Sequence, residues 1–512
     1  MSQDRILLIS PFINPKTQRE FVSSIINVSF PLSLGHLIGY LMKHVPFPVS
    51  VIDEQINPIN DVEETVLSMG RPKIVGISTM TSTSKRAFEL ARAIKKVIPE
   101  ALVVLGGVHP TVTLEECLKE DAVDIVVSGE GEETLRELVQ RVFNEKDYSD
   151  VYGISYKENG HFKHNQNRAL IEDLDILPQF PYHVFENNKE RYNGFASLQT
   201  SRGCPYGCVF CSQRSVSGRT YRYHSKERVL KDLEYIIGRY KPDNIRLIDD
   251  NIGANRKRLM DLLDGIIDKN FHKKVSFTAP LRGDNIDEEM VVRLKEANFS
   301  FLSFGLETAS ESLMKLINKG ESVDDVVKAI HMTKRNGITT ATTVIFGLPT
   351  ETNRDRWNAI KLVNSLPLDS VRFNILTPYP GTPVFERLKK ENKIFIKKDW
   401  ENFSVQYMWE GDDLPYVPAG TDRYELIFLT MFANLWFYLN PRGIWKTLTT
   451  PLAGGNVVPL PRKWYLSKHF FRITRVGFYL VYRFVVVVCK MIATKLLLLK
   501  STKRNRNTPD EW

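Results

Sequence analysis

The chain is 512 residues long, with 43% apolar and 25% charged side chains, a balance that excludes a disordered or fibrous protein and predicts two or three domains with buried cores. Five cysteines, three of them inside eight residues, and the start MSQDRILLIS exclude a secreted disulfide framework and predict a reduced, cytoplasmic setting. The formal net charge of +9 has the sign of a nucleic-acid binder, but residues 442–512 hold 14 Lys plus Arg against 2 Asp plus Glu while the rest holds 55 against 58, so the surplus belongs to the tail and no nucleic-acid partner is expected.

Residues 1–145 alternate short β-rich runs with amphipathic stretches: RILLIS, SLGHLIGYLMKHV, VSVID, IVGIS, SKRAFELARAIKKVI, LVVLGG, DIVVSG and ETLRELVQRV. Such alternation predicts βα units around a parallel sheet. Ligands of open sheets of this kind sit beyond the carboxyl ends of the strands. Those ends carry Ser78, then Gly106 and Gly107 followed by Thr111, then Gly129 followed by Glu130. One glycine would mark only a tight turn; three such tips together predict a rim whose backbone groups grip a flat, polar-edged ligand. Residues 146–194, with the polar stretch YKENGHFKHNQNR, read as a connector.

Residues 195–400 resume the alternation, with the six strand candidates SLQTSR, NIRLID, VSFTAP, FLSFGL, TTVIFG and VRFNIL. They predict an incomplete (β/α)6 barrel with its chemistry at the strand carboxyl ends. The loop after the first strand reads SRGCPYGCVFCSQ and spaces Cys204, Cys208 and Cys211 as CxxxCxxC. Three soft thiolates on one loop suit three irons of a 4Fe-4S cube and leave the fourth iron open. A structural zinc wants four N or S ligands, and the remaining candidates are remote: His224 is 13 residues on, Cys117 is in the first domain and Cys489 in the tail.

Residues 401–512 turn aromatic and basic from about Arg423 onward. Arg483, Lys490 and Lys495 interrupt the apolar runs, so no span of about 20 apolar residues is expected to cross a membrane. At helical spacing Arg472, Arg475, Arg483 and Lys490 form one cationic stripe. The tail is therefore expected to lie helical in the plane of an anionic membrane surface, basic face toward the headgroups. A packing helix with snorkelling cations is the alternative.

The barrel region resembles the radical S-adenosylmethionine (SAM) superfamily through motifs that occur in order. They are the CxxxCxxC loop with Phe210 before its last cysteine, Asp249-Asp250-Asn251 after the second strand and Arg282 after the third, with Phe304 to Thr308 on the fourth, Ile345 to Pro349 on the fifth and TPYPGTP after the sixth. The resemblance implies that Cys204, Cys208 and Cys211 bind a 4Fe-4S cluster whose open iron is chelated by SAM. It also implies that Asp250, with Asp249 or Asn251 sharing the role, holds the amino end of SAM, and that Glu307 and Gly347 approach its carboxylate, ribose and adenine. Helix capping and a tight turn are the structural alternatives for these positions.

The stretches PLSLGHLIGYLMKH, IVGISTMT, LVVLGGVHPT and DIVVSGEGEETL resemble the cobalamin-binding domain that precedes the barrel in one radical SAM subgroup. An α/β molecule is implied, with a Rossmann-like cobalamin domain, a partial radical SAM barrel and a basic helical tail. Ser78, Gly106, Gly107, Thr111, Gly129 and Glu130 become the cobalamin contacts. No DxHxxG motif is present, so the cobalt is expected to lack a His ligand, and His109 reads as a turn component.

The whole arrangement is similar to the magnesium-protoporphyrin ester cyclase and hopanoid methylase group. The implied activity is C-methylation of an unactivated carbon in a hydrophobic substrate, a lipid or a tetrapyrrole-like molecule, at the inner face of the membrane. A reducing partner such as flavodoxin or ferredoxin is implied with it. Oxidative cyclisation is the alternative outcome. A tRNA methylthiotransferase needs three N-terminal cysteines, where this chain has Cys117 alone; a non-enzymatic cobalamin or redox sensor would not need SAM-handling groups on several strands.

Overall fold

The computed structural model describes residues 5–12, 30–192, 194–405, 411–441, 443 and 470–506, with the side chains of the last stretch described over 478–496. Runs of apolar residues become strands buried on both faces, as parallel sheets require. The first sheet holds β1 (Ile6–Ser10), β2 (Val49–Asp53), β3 (Ile74–Ser78), β4 (Leu102–Gly106) and β5 (Ile125–Val127), all parallel. Alternate residues of these strands serve opposite faces. Leu8 and Val104 pack with Leu34, Ile38 and Leu138 of the helices Leu32–His44 and Glu132–Phe143, while Leu7, Val75 and Val103 pack with Phe88 and Leu90 of Ser84–Val97.

The polar stretch read as a connector contributes a hairpin, β6 (Ile154–Glu158) and β7 (His161–His164), whose antiparallel pairing extends the sheet to the order β2-β1-β3-β4-β5-β6-β7. Downstream of it, Phe180, Tyr182, Phe185 and Tyr192 surround Phe30. Tyr182 Oη donates to Ser197 O at 2.6 Å. This aromatic wedge belongs to the same apolar cluster as both sheets, so the two halves share a core.

The second sheet is a six-stranded parallel partial barrel whose strands lie side by side in chain order. It consists of β8 (Ser197–Leu198), β11 (Asn244–Leu247), β12 (Ser276–Leu281), β13 (Phe299–Glu307), β14 (Thr339–Phe346) and β15 (Ser370–Ile375), with a small hairpin of β9 (Ser201–Arg202) and β10 (Arg222–Tyr223) beside the first strand. Helices follow the strands, and the side chains of Ser225, Asn255, Asp287, Ser322 and Thr352 each accept from a first-turn N–H. These caps fix where each crossover begins.

The edge strand β15 does not face solvent. The helix Arg423–Leu439 lies along it, with Asn434 accepting from Phe373 N (3.1 Å) and donating to Phe373 O (2.8 Å), and Tyr438 Oη doing the same at Val371. The start of the expected tail is thus part of the barrel. Beyond it the helix Phe470–Arg506 packs on Arg423–Leu439. Contrary to expectation, the cationic stripe does not face outward: Arg483 donates to Gly411 O (2.7 Å) and pairs with Asp412, as Lys490 also does, while Lys495 lies 3.4 Å from Glu425. Acidic groups far away in sequence claim these cations, so that face docks on the protein. The side chains of Arg472 and Arg475 lie outside the described residues. Phe478, Val481, Tyr482, Val485, Ile492 and Leu496 are exposed on the opposite side. No helix among the described residues is long and apolar enough to cross a membrane.

Candidate active site between the two sheets

The loop with the three cysteines leaves β9 through Gly203, whose φ is +83° and where an added Cβ would lie 2.1 Å from Thr220 O, so only glycine fits. Its backbone is then pinned from three directions. Val209 N donates to Ile317 O (2.9 Å), Asn318 Nδ2 donates to Gly207 O (3.0 Å) and Val384 N donates to Val209 O (3.2 Å). Tyr206 lies under the Arg282 guanidinium, 3.5 Å from ring centroid to carbon, and its hydroxyl accepts from Asn285 Nδ2 at 2.5 Å. Burial raises all three thiol pKa values, Cys211 up to about 11, and the Lys319 and Arg282 charges oppose the rise at Cys208. Among the described residues no three His, Cys, Asp or Glu side chains converge to hold a single ion. A cube that takes one thiolate per iron does not ask them to, and Cys117 and Cys489 lie elsewhere, one buried in the first domain and one on the C-terminal helix.

Asp250 closes this loop on itself: Oδ2 accepts from Gly203 N (3.0 Å), one residue before the first cysteine, and Oδ1 from Gln213 Nε2 (2.5 Å), two residues after the last. Asp249 points the other way, to Thr200 N (2.7 Å), Thr200 Oγ1 (2.8 Å) and Ser201 N. It pins the strand end and does not cap a helix; Asn255 caps the helix that follows. Asn251 donates to Asn285 Oδ1 (2.7 Å), and its own Oδ1 is buried with no partner among the described residues.

Glu307 ends β13 with a left-handed φ of +60°. Its Oε1 accepts from Lys319 Nζ at 2.9 Å in a buried pair. Gly347 also has a positive φ, +84°, and its N–H donates to Glu351 Oε2 (2.5 Å). Glu351 in turn pairs with the fully buried Arg356 at 2.8 Å. The turn geometry at Gly347 is therefore fixed by a buried ion pair, and the next residue, Leu348, packs with Val209 and Phe210 of the cysteine loop.

Facing this loop across a cavity of about 340 Å³ are the strand tips of the first sheet. Ser78, Gly106, Gly107, Gly129 and Glu130 line it, and so do Gln199, Arg202, Gln213 and Asp250 of the barrel. The cavity continues along the sheet face past Gly76, Leu8 and Val104. Gly107, at φ +104°, would put a Cβ 2.6 Å from Thr79 O, whereas a Cβ on Gly129 meets nothing within 4 Å and would enter the open space. Such a cradle, apolar in depth and bounded by bare backbone, fits a large planar cofactor with a tail.

Two of the expected contact residues have other work. Thr111 stands behind the rim, donating to Gly107 O (2.8 Å) and accepting from Gly129 N (3.1 Å), so it ties two tips together. The Glu130 carboxylate accepts from Arg222 (2.8 and 2.9 Å), Arg202 (3.1 Å) and Ile171 N (2.9 Å), and Glu132 accepts from Arg202 (2.6 Å), clamping one domain to the other. His109 does not reach the cavity lining; it is buried edge-on to Trp400 at 5.4 Å, both ring nitrogens lack a hydrogen-bond partner among the described residues, and burial pushes its pKa down to about 4.

His36 is a cavity residue that sequence reasoning passed over. Its Nε2 is buried with no hydrogen-bond partner among the described residues, and burial followed by the Arg202 charge holds its pKa well below the usual histidine value, so the ring is neutral. It sits within PLSLGHLIGYLMKH, but a histidine on an apolar helix gives no sign of which face it takes. Arg202 and Gln213 flank the cysteine motif and were equally silent.

The radical SAM superfamily model matches residues 198–363 and the B12 binding domain model matches residues 22–139. An uncharacterized methyltransferase of Pyrococcus horikoshii, PH0819, is 31% identical over 423 residues, covering 82% of this chain and 90% of its own. The anaerobic magnesium-protoporphyrin IX monomethyl ester cyclase of Rubrivivax gelatinosus is 27% identical, covering 80% of this chain and 74% of its own. In fold, the chain is similar to the radical SAM methyltransferase TsrM from Kitasatospora setae, solved with cobalamin and a 4Fe-4S cluster bound, with a TM-score of 0.67 at 16% identity over 86% of this chain and 91% of that one.

Proposed function

We propose, because the chain belongs to the radical SAM superfamily and carries a B12-binding domain, that it methylates an unactivated carbon of a hydrophobic, tetrapyrrole-like or lipid substrate. The observation that carries this reading is the shared cavity: Asp250 and Gln213 line the space under the strand tips while their hydrogen bond closes the cysteine loop. Two cofactors held on these two sides would face one substrate.

When bound, the cluster with SAM supplies a carbon-centred oxidant and cobalamin supplies the methyl group. The chain's own part is to hold and orient. Cys204, Cys208 and Cys211 would ligate three irons. Asp250 and Glu307 present carboxylates for the amino end and ribose of SAM. Ser78, Gly106, Gly107 and Gly129 offer backbone and small side chains to the corrin edge, and the neutral His36 ring is available to it as a hydrogen-bond partner. A low-potential electron donor of the flavodoxin or ferredoxin kind is needed. Oxidative ring closure in the same cavity is the second reading, favoured by the likeness to the Rubrivivax cyclase.

Peripheral membrane association remains part of the proposal on a changed footing. The apolar outer face of Phe470–Arg506, with Phe478, Val485 and Ile492 exposed, would lie on the bilayer, while its inner cations dock on Asp412 and Glu425. Lipid attraction then comes from buried apolar area more than from the stripe.

The test is anaerobic reconstitution with iron and sulfide. About four irons per chain, SAM cleavage and a retained corrinoid are expected, all iron and cleavage being lost in Cys208→Ala. Cluster assembly in that variant, or an active protein without corrinoid, would refute the corresponding half of the reading.

A further inference from the structure

Lys319 is the most deeply buried lysine near the cysteine loop, with its side chain 5% exposed. Its place is set by the turn after the helix Glu311–Leu316, where Ile317 O and Asn318 Nδ2 bond to Val209 N and Gly207 O on either side of Cys208. Lys319 thus follows a residue bonded to the loop that carries Cys208, and its charge acts on the Cys208 thiol. It donates to Gly305 O and to Glu307 Oε1 (2.9 Å), and Glu321 Oε1 lies at 3.2 Å as an ion partner.

Burial works against a charge here, but the Glu307 and Glu321 carboxylates outweigh it and raise the pKa of Lys319 above the ordinary lysine value. The cation is fixed. Gly305 exists as glycine to admit it: a Cβ would lie 2.2 Å from Glu307 Oε1 and 2.6 Å from Lys319 Nζ. The other oxygen of Glu321 accepts from Gly283 N (2.9 Å) and Asp284 N (3.3 Å), so the network also reaches Arg282 over Tyr206.

We propose that Lys319 is a positioning residue of the cluster site, holding Glu307 in its left-handed conformation and fixing one positive charge beside Cys208 that sets the reduction potential of the cluster. A tris-thiolate cluster gains negative charge when reduced, and a cation held in a low-dielectric setting favours that state. The inference rests on the proposed cluster ligation, and its test separates the two.

Potentials are read by EPR-monitored titration of the reconstituted full chain without SAM, with iron content measured alongside. Lys319→Met is expected to lower the reduced-to-oxidised ratio at a fixed poise about tenfold, ~59 mV for one electron. Lys319→Arg should keep the native value and Glu307→Gln should raise it. If Lys319→Met alone fails to assemble a cluster, Lys319→Met/Glu307→Gln is compared with Glu307→Gln, a pair that differs only in the lysine charge while leaving no carboxylate of Glu307 unpaired. Full iron content with potentials that do not follow the charge order would overturn the role of Lys319 and leave the ligation standing. A native chain without a cluster would overturn both.

Discussion

Single atoms decide several positions in this site. Adding one methyl at Gly305 would collide with both partners of the Glu307–Lys319 pair, and forced overpacking of this kind costs about 1–3 kcal/mol. Gly305→Ala is therefore expected to lower the unfolding midpoint and weaken cluster retention, seen by calorimetry and iron content; an unchanged midpoint would mean that the pair moves aside freely. His109 makes a pH-dependent case. It titrates near 6.5 in an unfolded chain and near about 4 when buried, so between those values the unfolded state binds more protons and stability falls as the pH drops. That share, about 3 kcal/mol when fully lost, is intact above neutral pH. His109→Leu should narrow the difference in unfolding midpoint between neutral and mildly acidic solution, and a difference as wide as in the native chain would count against it. The three cysteines were legible because their spacing is local. Lys319 was not, since nothing in INKG tells that a buried carboxylate 12 residues back will fold onto it.

At the level of elements, the edge of the barrel is closed by side chains doing the work of a neighbouring strand. Asn434 meets both the N–H and the C=O of Phe373, so Asn434→Ala leaves two groups of an edge strand unpaired under a helix, at about 1–3 kcal/mol for each one that water cannot reach. Faster proteolysis of the C-terminal segment and a lower midpoint are expected, while Asn434→Asp, which keeps only the acceptor, should fall between. The six barrel strands could be read in advance because buried parallel strands carry apolar runs bounded by turns. The hairpin β6–β7 escaped notice because its strands are short and mostly polar and only the outer one, β7, is largely exposed, without a clear alternating face to detect. The tail shows the limit most clearly. Helical spacing placed Arg483 and Lys490 on one stripe correctly, but their partner Asp412 lies 71 and 78 residues away, and no local pattern announces a salt bridge of that range.

Across the whole molecule, the proposed chemistry depends on holding the two sheets at a fixed distance, and that spacing is set by charge as well as by the shared aromatic core. Glu130 and Glu132, at the third tip of the first sheet, meet Arg202 and Arg222, on the hairpin that leads into the cysteine loop. A second set of contacts joins the two halves: Ser84 Oγ donates to Asp399 O (2.9 Å), Lys85 pairs with Glu401 and Trp400 Nε1 donates to Glu116 (2.6 Å), strapping the end of the barrel to the first domain. The clamp is buried and the strap is partly exposed, so the clamp carries more of the coupling: removing one partner of a buried pair strands a charge and costs about 3–5 kcal/mol, whereas exposed pairs contribute at most about 1 kcal/mol. Arg222→Met should then loosen the cavity without touching the cysteines. Corrinoid retention through gel filtration is expected to fall, and the calorimetric trace to separate toward two transitions, while iron content stays native. Lys85→Met should change neither measurement appreciably. If Arg222→Met instead loses iron and corrinoid together in one broad transition, the two sheets form a single cooperative unit, and the aromatic wedge around Phe30 sets the spacing of the cavity.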